Sequence, residues 1–197
     1  MDSISLVEPN FITLSEFKSA LTFGDGITSQ IKNLTPKFLL RGITEIMYKN
    51  WDLVLSNLWI SVEQLTDFIW NNLYLDNPKY HPSTDIAGRK SSMKDDNRTW
   101  STSVKQELLY QNSIFTEEII SKLHPARKAR NKLVHEGKSV SKSVALDLYV
   151  GVKLLLEKAS GIDNLELIDI SERPDSWDRE TSNFEVEYFR NWGVDKK

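Results

Sequence analysis

The chain has 197 residues, of which 40% are hydrophobic and 27% are charged, and its formal net charge is −3. This length suits one compact domain with a real core and a small appendage, and the composition is that of an ordinary globular protein. There is no cysteine, so disulfides and thiolate metal sites are excluded and a cytoplasmic location is expected. The net negative charge argues against nonspecific nucleic-acid binding by the whole surface.

No targeting segment or membrane segment is expected. The N-terminal residues Met1-Asp2-Ser3-Ile4 lack the basic and apolar regions of a secretory signal. The most apolar predicted helix carries Asp52, Glu63 and Asp67, so no segment of the chain is predicted to span a membrane.

The first half of the chain contains its strongest helical pattern. In the N-terminal segment, residues 1–36, a short helix is predicted over 14–23 and a turn at Gly24-Asp25-Gly26. From Pro36 to about Leu75, apolar residues recur at three- and four-residue steps, which predicts one long leading helix or two helices with a break near Asn50. This segment contains more aromatic residues than one narrow helix–helix contact would bury, so some of them could contact a dimer partner.

A segment of different composition, residues 76–103, separates the two helical halves. It holds two prolines, one glycine and many polar residues, and so long a loop in a compact domain is usually functional or disordered. We therefore predict either a mobile loop that closes over a site or plain disorder, and the composition does not decide between them.

Helical patterns return in the second half of the chain. One helix is predicted over 104–110 and another over 116–123, where Thr116 suits an N-cap. A further amphipathic helix is predicted over 141–159, ended by Gly161.

The tail, residues 162–197, is acidic and aromatic. It holds ten acidic and five basic residues, and residues 165–170 could form a short strand. The tail could fold back on the core, cross to a second subunit or shield a basic groove, and its sequence does not decide among these arrangements.

The most informative stretch is the run Arg130-Asn131-Lys132-Leu133-Val134-His135. We predict a helix over about 125–136 here, with Pro125 in its first turn and Gly137 as its stop. An Arg can hold a phosphate through two parallel N–H donors, an imidazole can move a proton near neutral pH, and an Asn can orient either partner. These residue types suit phosphodiester chemistry.

The spacing along this helix gives the motif one functional face. Arg127, Asn131 and His135 stand four residues apart and share that face, and Arg130 lies on a flanking line. Between residues 122 and 142 the chain carries seven basic residues and one acidic residue, so a locally positive surface coincides with the motif. The alternative interpretation is a solvated helix end with ordinary C-terminal cations.

No metal site and no cofactor site is predicted. The three histidines, His81, His124 and His135, lack the spacing of metal ligands. His124 directly precedes Pro125, and we interpret it as a helix-entry residue. The chain also has no Gly-rich phosphate loop and no nucleophile elbow.

Two stretches of the sequence are similar to a known family. The Arg-Asn-x-x-x-His motif at 130–135 resembles the signature of the HEPN domains (higher eukaryotes and prokaryotes nucleotide-binding). The run Leu58-Trp59-Ile60-Ser61-Val62-Glu63-Gln64-Leu65 resembles the Leu-Trp-x-x-x-Glu-x-Leu helix of many bacterial HEPN proteins. A weaker similarity is Arg98-Thr99-Trp100-Ser101 leading into 104–108. The resemblance covers residues 38–160.

The resemblance implies an all-α fold, with a HEPN-like helical bundle over 37–161 between the N-terminal segment and a short irregular tail. It implies a metal-independent endoribonuclease that needs no cofactor and serves in bacterial defence or in a toxin–antitoxin system. The RNA, with transfer RNA among the candidates, would be cleaved through attack of the 2′-hydroxyl at a composite site of a homodimer. An antitoxin or a defence protein is a further candidate partner. The alternative is a non-catalytic HEPN-like dimerisation or nucleotide-binding module.

The resemblance also gives roles to individual residues. His135 would act as general base or acid, Arg130 would stabilise charge on the phosphate, and Asn131 would orient them. A second group would bind the RNA phosphates: Arg127, Lys128 and Lys132. Glu63 would lie behind the site and anchor Arg130.

Overall fold

The computed structural model describes residues 13–77, 79 and 99–165, and the regular secondary structure of those residues is entirely helical. The all-α prediction is therefore confirmed for the part of the chain that the structure describes. The helices are α1 (Leu14–Gln30), α2 (Pro36–Met47), α3 (Trp51–Ile69, continued by a π-helical turn over Trp70–Leu75), α4 (Thr102–Gln111), α5 (Glu117–Glu136) and α6 (Lys142–Ser160).

The core is organised around α3. Helices α2, α4, α5 and α6 all pack against it, which explains why its apolar residues are not confined to one narrow stripe. Its fully buried apolar side chains recur at one- to four-residue steps: Val54, Leu55, Leu58, Val62, Leu65 and Ile69. The other large interface lies between α5 and α6, so the motif helix is supported by both α3 and α6.

The apolar pattern from Pro36 onward forms two helices and not one. Helix α2 ends at Met47 and α3 begins at Trp51, so the predicted break near Asn50 is confirmed. Lys49 adopts the left-handed conformation, with φ of 55°, and this reverses the chain between the helices. The two helices pack closely because Gly42 presents no side chain to Leu58.

The predicted turn at residues 24–26 is wrong, because α1 continues through it to Gln30. A helical glycine costs only about 1 kcal/mol relative to alanine. The hydroxyl of Thr28 donates to the carbonyl oxygens of Gly24 and Asp25 at 3.1 Å. Ile27 and Ile31, beyond the glycines, are buried. Burial of apolar side chains at the C-terminal end of α1 offsets the weak local preference for a turn.

The predicted helix start at Pro125 is also wrong. Helix α5 begins at Glu117, its N-cap residue Thr116 accepts the N–H of Ile119, and Pro125 lies inside the helix. An interior proline removes one backbone hydrogen bond and costs about 3 kcal/mol. Leu123 and Ala126, which flank the proline, are both buried, so packing holds the helix together across it.

The predicted helix ends are confirmed at two glycines. Gly137 ends α5 with φ of 65°, and Gly161 ends α6 with φ of 71°. Both angles are left-handed, where a glycine carries no Cβ penalty. The helices predicted over 104–110 and 141–159 correspond to α4 and α6.

Several predictions lie outside the described residues. They include most of the 76–103 loop, the residue Arg98, and the tail beyond Leu165 with its predicted strand. The described residues through Asp163 belong to one compact unit, and the domain boundaries at 36 and 161 stay predictions. Among the described helices, none combines the length and apolarity that a membrane crossing requires.

Candidate functional site

The motif lies at the end of α5, where the helix passes from the core to the surface. Ile119, Leu123 and Ala126 are buried at steps of four and three residues, and they define the core-facing line of the helix. Arg130 continues this line one turn further and is half-buried. Its aliphatic stem can therefore lie against the bundle while its guanidinium reaches solvent.

A second line of motif residues runs along the flank of α5. Arg127, Asn131 and His135 follow one another at four-residue steps within the helix, so they share a face as predicted. Arg127 is half-buried, and Asn131 and His135 are exposed. This face is open to a ligand along two turns of helix.

His124 belongs to the same face, which the sequence interpretation missed. Because α5 begins at Glu117, His124 is an interior residue of the helix, placed three residues before Arg127 and seven before Asn131. Its Nδ1 lies 3.3 Å from a guanidinium nitrogen of Arg127. The spacing of His124 from Arg127 and Asn131 places it on this face only if the helix continues through Pro125.

Arg130 and His135 point in different directions from the helix axis. They are five positions apart in the helix, which corresponds to about 140° of rotation and about 7.5 Å along the axis. In the described part of the chain, neither side chain has a hydrogen bond or an ion pair. Both are thus free to bind a ligand, but one helix does not direct both at a single point.

The cations around the motif are mostly not neutralised by acids. Lys122 pairs with Asp147 of α6, and Lys138 pairs with Glu136 at 2.6 Å. Among the described residues, the remaining cations between 122 and 142 form no ion pair with a carboxylate: Arg127, Lys128, Arg130, Lys132 and Lys142. An anionic ligand would find this end of α5 positively charged.

Glu63 lies on α3 and is half-buried. Its carboxylate accepts a hydrogen bond of 2.8 Å from the indole Nε1 of Trp59, one turn earlier in the same helix. Within the residues that the structure describes, no ion pair joins Glu63 to Arg130. The anchoring of Arg130 by Glu63 stays a prediction.

An open depression of about 570 Å³ lies between α4 and the motif helix. Arg127 forms one side of it, so this residue belongs both to the motif face and to the depression. The other lining residues precede α4 or lie on it: Trp100, Ser103, Val104, Glu107 and Leu108. Sequence patterns do not predict this depression, because it depends on how α4 packs beside α5.

Among the described residues, no group of three or more His, Asp or Glu side chains is placed to hold a metal ion. The comparison of the chain with protein-family models, with curated proteins and with solved structures also finds no match. What the site does is therefore inferred from its own residues.

Proposed function

We propose that the chain is a metal-independent endoribonuclease of HEPN type. The observation that carries the proposal is the outer face of α5, where Arg127, Asn131 and His135 follow one another beside cations that no described carboxylate neutralises. This arrangement supplies phosphate donors, an orienting amide and a proton-transferring imidazole on one surface. Asn131 and His135 also belong, together with Arg130, to the motif that resembles the HEPN signature.

The proposed reaction is transesterification within the RNA strand. A general base takes the proton of a ribose 2′-hydroxyl, the 2′-oxygen attacks the adjacent phosphorus, and the bond from phosphorus to the 5′-oxygen breaks. A general acid gives the leaving 5′-oxygen its proton. The products are a 2′,3′-cyclic phosphate and a 5′-hydroxyl. His135 transfers protons, Arg130 stabilises charge on the phosphorus oxygens, and Asn131 orients them. Arg127, Lys128 and Lys132 bind flanking phosphates.

A homodimer resolves the divergence of Arg130 and His135. With a two-fold axis beside the motif, Arg130 of one copy acts with His135 of the other, so neither helix has to direct both side chains at a single point. The second copy also completes a second site, so each dimer holds two pairs of Arg130 and His135. In this proposal the complete site is composite.

Incubation of the purified protein with total RNA in excess chelator tests the proposal. Wild type is expected to cleave and to leave 2′,3′-cyclic phosphate ends. His135→Ala and Arg130→Ala are each expected to lose most of the activity, by about 100-fold or more. Lys158→Ala removes an exposed cation from the last turn of α6 and serves as the control that retains activity.

Two results would contradict this mechanism. The first is activity that chelation abolishes and magnesium restores. The second is a loss of helical circular dichroism in His135→Ala or Arg130→Ala, which would make the residue structural. If wild type and His135→Ala bind RNA equally and neither cleaves it, the chain is the non-catalytic nucleotide-binding module that the resemblance also allows.

The biological setting that fits such a nuclease is bacterial defence or a toxin–antitoxin system. Its RNA target, with transfer RNA among the candidates, and an antitoxin or defence partner belong to the same proposal. Expression in a bacterial host tests the toxin role. Growth arrest by wild type that His135→Ala relieves, at equal protein level, supports it. Equal growth with both proteins contradicts it.

A further inference from the structure

The depression between α4 and α5 is amphipathic. Val104 and Leu108 give it an apolar wall, and Ser103 and Glu107 stand on the same helix one turn apart. Arg127 faces them from α5. A depression of about 570 Å³ falls within the usual size range of small-molecule sites. The depression is large enough for one planar ring system and part of that ring system's polar substituents.

Two opposite charges line the depression without neutralising each other. Within the described part of the chain, no ion pair within 4.0 Å joins Glu107 to Arg127. Each is held by a neighbour on its own helix. Gln111 donates to a carboxylate oxygen of Glu107 at 2.8 Å, and His124 contacts the guanidinium of Arg127 at 3.3 Å. An occupant of the depression can therefore meet an acceptor on one side and a cation on the other.

We propose that this depression binds a guanine base of single-stranded RNA beside the cleaved phosphate. The inference rests on the proposed ribonuclease function and names a specificity-determining subsite for it. The Watson–Crick edge of guanine carries two adjacent N–H donors and one carbonyl acceptor. The carboxylate of Glu107 accepts from the two donors, and the hydroxyl of Ser103 donates to the carbonyl oxygen. Arg127 holds the neighbouring phosphate.

Trp100 supplies the ring surface on which a base can stack. It is half-buried, and its ring centroid lies 5.5 Å from that of Trp70, which itself stacks on Tyr74 at 4.3 Å. A tryptophan supported in this way loses little side-chain freedom when a base stacks on it. Stacking on an aromatic residue is a general means of holding single-stranded bases.

The position of the depression links it to the motif. Arg127 borders it, and Asn131 and His135 follow one and two turns later on the same helix face, about 6 Å and 12 Å along the axis. A strand whose base fills the depression therefore continues along the motif. An apolar side chain of a protein partner fits less well, because it would cover the charged carboxylate of Glu107 with only the amide of Gln111 donating to it.

Equilibrium binding of short uncleavable RNA tests the proposal. The probes are fluorescent 2′-O-methyl uridine hexamers that carry guanosine, adenosine, cytidine or uridine at one central position, read by anisotropy with wild-type protein. The guanosine probe is expected to bind about tenfold more tightly than the others. Glu107→Gln keeps the shape but offers one acceptor, and is expected to reduce this preference to about twofold. Glu118→Gln, an exposed acid of α5 outside the depression, is the matched control and is expected to retain it.

Trp100 is tested by two variants. Trp100→Ala is expected to weaken the binding of all four probes by about 5- to 100-fold. Trp100→Phe is expected to weaken it much less, because phenylalanine keeps a ring for stacking. Circular dichroism of both variants checks the fold.

The outcomes separate this inference from the nuclease proposal. Equal affinity for the four probes, or a guanosine preference that survives Glu107→Gln, overturns the subsite. If total RNA is still cleaved in that case, the nuclease proposal stands alone. A guanosine preference that depends on Glu107, in a protein that cleaves no RNA, supports the subsite and rejects the nuclease.

Discussion

The indole Nε1 of Trp59 donates a hydrogen bond of 2.8 Å to the carboxylate of Glu63 within α3. Trp59 is only 4% exposed, so its N–H would lack a partner without this carboxylate. Glu63 thus has a structural partner in its own helix. The Leu-Trp-x-x-x-Glu spacing of the sequence places the donor and the acceptor one helical turn apart.

Truncation of Glu63 should destabilise the fold by a modest amount. Glu63→Ala leaves the indole N–H unpaired and is expected to lower the free energy of unfolding by about 1–3 kcal/mol. Glu63→Gln keeps an acceptor and should cost less. Urea unfolding measures both, and in a Trp59→Phe background Glu63→Ala should cost less than in wild type. A loss of about 3–5 kcal/mol for Glu63→Gln would instead indicate a stranded Arg130.

The loop after the motif helix is tied to the start of α3. The carboxylate of Asp52 accepts the backbone N–H of Val140 at 2.6 Å. Hydrogen bonds to charged groups contribute more than neutral ones, but Asp52 is half-exposed. Asp52→Ala is therefore expected to lower the free energy of unfolding by about 1–2 kcal/mol, and Asp52→Asn by less. Faster amide hydrogen exchange at Val140 in Asp52→Ala provides the local check. Exchange unchanged from wild type would show that the bond is not maintained in solution.

The close approach of α2 and α3 depends on Gly42. A Cβ at this position would lie 2.6 Å from Cγ of Leu58, and Leu58 is fully buried. Gly42→Ala is expected to lower the free energy of unfolding by about 1–3 kcal/mol because the core must shift. Gly151→Ala, whose Cβ would meet Leu123 and Lys122 at 3.2 Å, should cost less. Thermal unfolding of the two variants shows which one is less stable. A Gly42→Ala variant that is more stable than Gly151→Ala would contradict the prediction.

The sequence predicts those helix ends that local chemistry decides. Gly137 and Gly161 adopt left-handed angles, and few other residues adopt them without strain. Thr116 is the N-cap of α5, as its side chain and the following acids indicate. The face shared by Arg127, Asn131 and His135 follows from the helical period alone.

Where packing outweighs local preference, the sequence misleads. Gly24 and Pro125 each disfavour a helix locally, yet buried residues continue on both sides of Pro125 and beyond Gly24. Because the helix start was wrongly predicted at Pro125, His124 was not recognised as a site residue. It joins the motif face only when α5 begins at Glu117. The depression beside Arg127 depends on the packing of α4 and α5, which no periodicity in a single segment reveals.

His124 should act on RNA binding through Arg127. Their contact of 3.3 Å is exposed to solvent, so His124→Ala is expected to raise the KM for RNA by about 2- to 5-fold, the equivalent of one modest hydrogen bond. The kcat should stay within about twofold, since His124 positions a binding residue and does not touch the reacting atoms. Steady-state cleavage of one defined RNA measures both, with Glu118→Ala as the control. A fall in kcat of about 100-fold at constant KM would make His124 a proton-transfer group instead.

The composite site makes a prediction about mixtures of inactive variants. If Arg130 of one copy works with His135 of the other, a dimer of His135→Ala with Arg130→Ala contains one intact pair. Random pairing of equal amounts should then restore about a quarter of the wild-type activity, although each variant alone is inactive. Co-purification through a tag on one variant confirms that the subunits exchange.

The same dimer brings two basic helix faces together, so it should tighten as salt screens their repulsion. Val134 is 60% exposed on α5 and offers the apolar contact that offsets this repulsion near the proposed axis. Val134→Lys removes that contact and adds charge, and is expected to give a folded monomer that cleaves RNA at least tenfold more slowly. Sedimentation at micromolar concentration measures the assembly. Wild type that sediments as a monomer while cleaving RNA, or mixed variants that exchange subunits and stay inactive, would show that one copy of α5 carries the whole site.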